Sequence, residues 1–163
     1  MSKRVALGGV LTATAIIFSY IEFLFPLELI IPIPGLKLGL ANIVVVVILY
    51  KLGVKYALAV NLLRIFLVAW LFTSPLALLF ALCGGLLSLL AMWLLKSVRV
   101  FSVAGVSIAG GVTHNIGQIL VASLLMGSAA VFNLLPYLLI TGAITGALIG
   151  VLAGNVLKRL PEI

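Results

Sequence analysis

At 163 residues, 65% of them hydrophobic and only 8% charged, with a mean hydropathy of +1.45, the chain is too apolar for a water-soluble domain and suits one membrane-embedded domain. Its formal net charge of +7 does not imply a nucleic-acid partner, because the ten Lys and Arg residues sit mostly in pairs at the ends of apolar runs and not on one face. A single Cys excludes an internal disulfide, and one His, one Cys and three widely spaced acids exclude a metal constellation, so neither metal nor cofactor is expected.

Met1 to Arg4 is a short basic end. Val5 to Phe25 predicts a first transmembrane helix, about 31 Å long. It runs past signal-peptide length with no clear cleavage site, so it reads as a retained span. Pro26 to Leu36, PLELIIPIPGL, predicts a loop, since three prolines and a glycine prevent regular helix. It is apolar enough to fold back over the domain or dip into the membrane interface. Lys37 to Tyr50 predicts a short second span, rich in β-branched residues. A lone strand in lipid would leave its backbone unsatisfied, so helix is expected. A basic turn with Lys51, Gly53 and Lys55 leads to the third span, Tyr56 to Phe72. Thr73, Ser74 and Pro75 form an uncharged turn before the fourth span, Leu76 to Leu95. Lys96 to Ser102 is a basic loop. Val103 to Met126 is the fifth span, Gly127 to Asn133 an uncharged turn, and Leu134 to Leu157 the sixth span, closed by Lys158 and Arg159.

Basic residues therefore lie at both termini and in alternate connections, while the remaining connections hold only Glu28 and, at the edge of the second span, Lys37. This alternation predicts an all-α integral membrane protein of six helices in a single domain, with both ends cytoplasmic.

The topology assigns depths. Arg64 falls about 12 Å into the third span, near the midplane. Asn61 shares its face. The fifth span carries SIAGGVTHNIGQ (Ser107 to Gln118), which puts the only His, an Asn and a Gln near the centre of an apolar run. His114 and Gln118 are four apart and share a helix face. Glu22 lies in the outer turn of the first span, and Lys37 and then Asn42 open the second. Buried polar groups at membrane depth mark cavities or interhelical contacts. Arg64 either pairs with Glu22 or offers a fixed charge to an anionic ligand, and its depth favours the latter. Lys37 either snorkels or meets the ligand. His114 and Gln118 are expected to line the cavity. Asn115 points about a hundred degrees away and could instead bond a neighbouring helix. Asn42 and Asn61 could serve in either way, and Thr141 and Thr145 are expected to bond their own backbone. Ala6, Gly9 and Ala13 form a smooth stripe on the first span, open to packing within the bundle or to docking of another membrane subunit. No catalytic triad, phosphate-cradling loop or paired acids point to an enzyme.

PIPGLKLGLANI (Pro32 to Ile43), LLR (Leu62 to Arg64), Gly84-Gly85 followed by Ser88, and GVTHNIGQ (Gly111 to Gln118) together resemble a bacterial membrane family. It is labelled heptaprenyl diphosphate synthase component I, or Gx transporter, and is similar to the substrate-binding S components of energy-coupling-factor (ECF) transporters. The resemblance spans nearly the whole chain. The synthase label fits poorly with catalysis, because prenyl diphosphate synthases bind magnesium diphosphate through aspartate-rich motifs and this sequence has no Asp. The resemblance to S components implies a multi-pass protein of the bacterial cytoplasmic membrane that takes a vitamin-like small molecule from outside. It implies a transmembrane coupling subunit and two ATPase subunits as partners, with the first-helix stripe, here Gly9 to Ala13 with Gly in place of the first Ala, as the docking face. Pro26 to Leu36 would be a lid. The expected ligand is a small anionic, partly apolar solute such as an isoprenoid, vitamin or cofactor precursor, bound by Glu22, Lys37, Asn42, Asn61, Arg64, His114, Asn115 and Gln118. A non-catalytic membrane partner of a prenyl diphosphate synthase and an autonomous secondary transporter are the alternatives.

Overall fold

The computed structural model describes residues 2–27 and 38–160. Six α-helices follow one another there: α1 (Ser2–Leu24), α2 (Leu40–Lys51), α3 (Val54–Phe72), α4 (Pro75–Val98), α5 (Val103–Met126) and α6 (Leu135–Arg159). A 3₁₀ turn, Ala129–Leu134, joins α5 to α6, where the sequence suggested only an uncharged turn. Among the described residues there is no strand, so the β-branched run of α2 is helical, as lipid requires. Five helices are long and apolar enough to cross a membrane. The fold is an all-α membrane bundle. Its outer faces carry large apolar side chains, among them Trp70, 89% exposed, and Leu124, 82% exposed, which only a lipid solvent makes favourable.

The helix starts are written locally. The Ser74 hydroxyl accepts from the Ala77 N–H at the start of α4, where Pro75 occupies the first turn. Ser102 does the same for α5 through the Gly105 N–H. The helices also overrun some expected limits. α4 continues to Val98 and so takes in Lys96, because nothing stops it before Arg99, which adopts a left-handed φ of 60°. α3 begins at Val54, directly after the Gly53 turn.

The shortest helix sits at the centre. α2 has 12 residues, about 18 Å of rise, well short of a hydrocarbon layer of about 30 Å. Every residue from Ile43 to Leu49 is buried, against α1, α3 and α6. A helix that is apolar all round can be enclosed by its neighbours without stranding a polar side chain. Its two ends are closed by charged side chains from other helices. At the basic end, Lys96 Nζ donates to the Leu49 carbonyl at 2.6 Å and lies 4.9 Å over the Tyr50 ring. Lys51 Nζ donates to the Leu160 carbonyl at 3.1 Å, tying α2 to the end of α6. At the other end the Glu22 carboxylate accepts the Gly39 N–H. The helix thus starts at Leu40, not at Lys37. Gly39 stands before it with φ 75°, a conformation that costs a side-chain-bearing residue about 1–2 kcal/mol. The expected lid and Lys37 fall at 28–37, outside the described residues, apart from Pro26 and Leu27.

α4, α5 and α6 pack backbone to backbone. A Cβ on Gly117 would lie 2.8 Å from the Gly84 Cα, and one on Gly142 would lie 2.8 Å from the Gly111 carbonyl oxygen. In lipid, where apolar side chains gain nothing by leaving solvent, such close approach supplies the packing.

Candidate functional site

The site is built outward from the Gly84-Gly85 pair of α4. The Gly85 carbonyl accepts from Asn61 Nδ2 at 3.2 Å, which fixes the Asn61 amide between α3 and α4. Asn61, 1% exposed, then turns its Oδ1 toward Arg64 one turn along, and Arg64 Nη2 donates to it at 2.8 Å. Arg64 Nη1 donates to the Ser19 hydroxyl of α1 at 3.4 Å. Three helices therefore hold one guanidinium in place.

Glu22 does not close on this charge as an ion pair. It caps the start of α2 through Gly39, while Arg64 is held by Asn61 and Ser19. The simple Glu22–Arg64 pair weighed from the sequence is thus replaced by two separate anchorings, with both charges facing the same space.

Gly84 makes room for His114. A Cβ at Gly84 would stand 3.0 Å from the imidazole Cε1 and 3.1 Å from Nε2, so the ring lies flush against the α4 backbone. Asn115 faces α6 and donates from Nδ2 to the Leu138 carbonyl at 2.6 Å, the interhelical bond that its angle on the helix left open. Gln118 is 8% exposed. Its Oε1, like Arg64 Nε, is buried with no hydrogen-bond partner among the described residues. Thr145 donates to the Thr141 carbonyl at 2.9 Å and Thr141 to the Tyr137 carbonyl at 3.0 Å, each back-bonding its own helix.

These residues surround two adjoining cavities. The smaller, about 80 Å³, is lined by Glu22, Asn42, Arg64, His114, Asn115 and Gln118, with Gly39 and Thr145 completing its wall. The larger, about 310 Å³, lies toward the end of the bundle opposite the lysine-capped one, between α1, α3 and α4. Its walls are mostly apolar, with Phe23, Ile65, Val68, Ala69 and Ala77 among them. Glu22, Leu38, Arg64 and Ala81 belong to both, so the shared wall carries both charges.

Six of the eight residues picked from the sequence thus meet at one cavity. Asn61 stands behind it and supports Arg64, and Lys37 lies outside the described residues. Sequence reasoning missed Ser19, which is 6% exposed and reaches Arg64 from α1. A serine in an apolar helix has many uses, and only its position opposite Arg64 distinguishes this one. Gly39 was also missed as part of the wall, although KLGLAN was noticed as a motif. The Ala6–Gly9–Ala13 stripe is exposed along its length, and open space surrounds Gly9 where a side chain would project.

Among the described residues no group of three metal-ligating side chains comes together. What the arrangement offers is recognition: a fixed cation, a carboxylate and amide groups beside an apolar chamber. No curated protein and no solved structure matches the chain significantly. The family profile described as heptaprenyl diphosphate synthase component I matches residues 11–156, and the chain belongs to that family.

Proposed function

We propose that this membrane protein is the substrate-binding S component of an ECF-type importer in a bacterial cytoplasmic membrane, non-catalytic in itself. It takes a small anionic, partly apolar solute from the outside. The observation that carries this reading is Arg64. Three helices hold its guanidinium at the meeting of a polar and an apolar cavity, and Glu22 does not neutralise it by direct pairing. Structural arginines in membranes are satisfied by partners, and one whose Nε lacks a partner at a cavity wall is placed to receive an anion. The positive-inside pattern supports an outward-facing larger cavity, since it lies at the end away from the lysines. The exposed Ala6–Gly9–Ala13 stripe supports docking of a transmembrane coupling subunit with two ATPases.

A second reading is favoured by the family's description. In it the chain is the membrane-bound partner of a prenyl diphosphate synthase. Purification of the tagged chain from native membranes separates the two. The importer reading expects a membrane coupling subunit and ATPases to copurify. A soluble synthase subunit copurifying without them would replace it with the second reading.

A further inference from the structure

The hydrogen-bond donors around the smaller cavity are largely committed. Asn115 Nδ2 donates to the Leu138 carbonyl, and the Thr145 hydroxyl to the Thr141 carbonyl. The two terminal nitrogens of Arg64 donate to Ser19 and Asn61, and Glu22 takes the Gly39 N–H. Against these stands an acceptor that none of them reaches. Gln118 lines the same cavity, is more than nine-tenths buried, and its Oε1 has no hydrogen-bond partner among the described residues. A polar atom withdrawn from water without a partner costs free energy, and such atoms are rare in folded proteins.

Gln118 cannot find that partner by moving with its helix. Its neighbour Gly117 sits on the α4 backbone, where an added Cβ would lie 2.8 Å from the Gly84 Cα and 2.9 Å from the Cys83 carbonyl oxygen. About two turns earlier α5 meets α6 just as closely, since a Cβ on Gly142 would lie 2.8 Å from the Gly111 carbonyl oxygen. α5 is thus wedged between two backbones, and Gln118 is held on the wall that it shares with Arg64 and Asn42.

We infer that Gln118 is a specificity-determining residue, and that the solute donates a hydrogen bond to its Oε1 from an N–H or O–H group beside the group that meets Arg64. This rests on the solute-binding reading above and deepens it. Arg64 Nε is likewise buried without a partner among the described residues, and calls for an acceptor. The polar end of the solute therefore carries donor and acceptor together, an alcohol, amine or amide hydrogen beside an acid or carbonyl oxygen. A solute whose polar end only accepts would leave Oε1 unpaired and further from water, and a site discriminates strongly against a molecule that leaves its buried polar groups unpaired.

The probe is a small-molecule extract of the source cells, equilibrated with the full chain in lipid nanodiscs and washed. Wild type, Gln118→Met and Arg64→Gln are compared by native mass spectrometry, with folding verified by circular dichroism and melting. Ala81→Leu, which narrows the cavity wall beside Arg64, replaces Arg64→Gln if that variant does not fold. Methionine keeps the length of glutamine and removes both polar ends. The released molecule is weighed in light and in heavy water, which counts its hydrogens on nitrogen and oxygen beyond those of acid groups. The wild type is expected to retain a molecule with at least one such hydrogen, and Gln118→Met to retain about tenfold less or lower still. Empty Gln118→Met should melt no lower than the empty wild type, because it loses an unpaired atom and no hydrogen bond. A retained molecule without such a hydrogen, or one that Gln118→Met holds as well as the wild type while Arg64→Gln loses it, overturns the donor assignment and leaves solute binding standing. A Gln118→Met chain that fails to fold, or melts clearly below the wild type when both are empty, makes Gln118 a structural residue and overturns it too. A wild type that retains nothing, or nothing more than Arg64→Gln, overturns both readings.

Discussion

Arg64 is a charge positioned by neutral partners, and Asn61 is the pivot of that arrangement. Its amide spends one end on the Gly85 carbonyl and the other on the guanidinium. Asn61→Leu keeps the volume but leaves both groups buried without it. The expected cost is about 1–3 kcal/mol of stability, read as a lower melting temperature in detergent. An unchanged melting point would show that Asn61 is not needed to hold Arg64. Gly84 tests the seating of His114. Adding a methyl there brings a carbon to 2.9 Å from the His114 carbonyl oxygen as well as against its ring. Gly84→Ala should therefore destabilise by about 1–3 kcal/mol. Gly8→Ala is the matched control, since nothing lies within 4 Å of the added carbon. It should gain about 0.5–1 kcal/mol from helix propensity alone. Equal effects at the two glycines would contradict the close α4–α5 approach.

At the scale of elements, α2 explains why the sequence was easier to read for helices than for their roles. Its all-apolar, β-branched composition made a short span legible, and lipid chemistry chose helix over strand. That it is the buried centre of the bundle depends on contacts with α1, α3 and α6, which have no sequence signal. The same is true of its caps. Lys96 belongs to the expected α4–α5 loop by charge pattern, yet its amine reaches 47 positions back to close α2. Lys96→Met keeps the aliphatic stem and removes this bond and the cation over Tyr50. A loss of about 1–2 kcal/mol is expected, measured by thermal unfolding. Lys158→Met is the control for general loss of a basic residue, and a similar loss there would argue against a specific cap.

Across the whole molecule, the charge pattern made six helices and their alternation legible, and helical spacing put His114 and Gln118 on one face. The depth argument placed Arg64 level with them. These are local or one-dimensional signals. The division of the site into a polar and an apolar chamber was not legible, because Phe23, Val68 and Ala77 are ordinary membrane residues until α1, α3 and α4 are assembled. The cap that the Glu22 carboxylate forms at Gly39 was likewise not legible, because it depends on how the end of α1 meets a helix that starts at Leu40. The importer account also separates two faces of the molecule. Bulky substitutions on the exposed stripe, such as Gly9→Leu with Ala13→Leu, should abolish copurification of a coupling subunit and leave solute binding unchanged. Loss of solute binding in that pair would mean that the stripe packs within the fold.

The central claim is that the Arg64 cavity holds a solute. Its most direct test is native mass spectrometry of the chain purified from its own membranes, wild type beside Arg64→Gln, with both shown to be folded. The account predicts a small molecule of constant mass retained by the wild type and absent from the variant. A wild type that carries no small molecule, or one that Arg64→Gln retains equally, would contradict it.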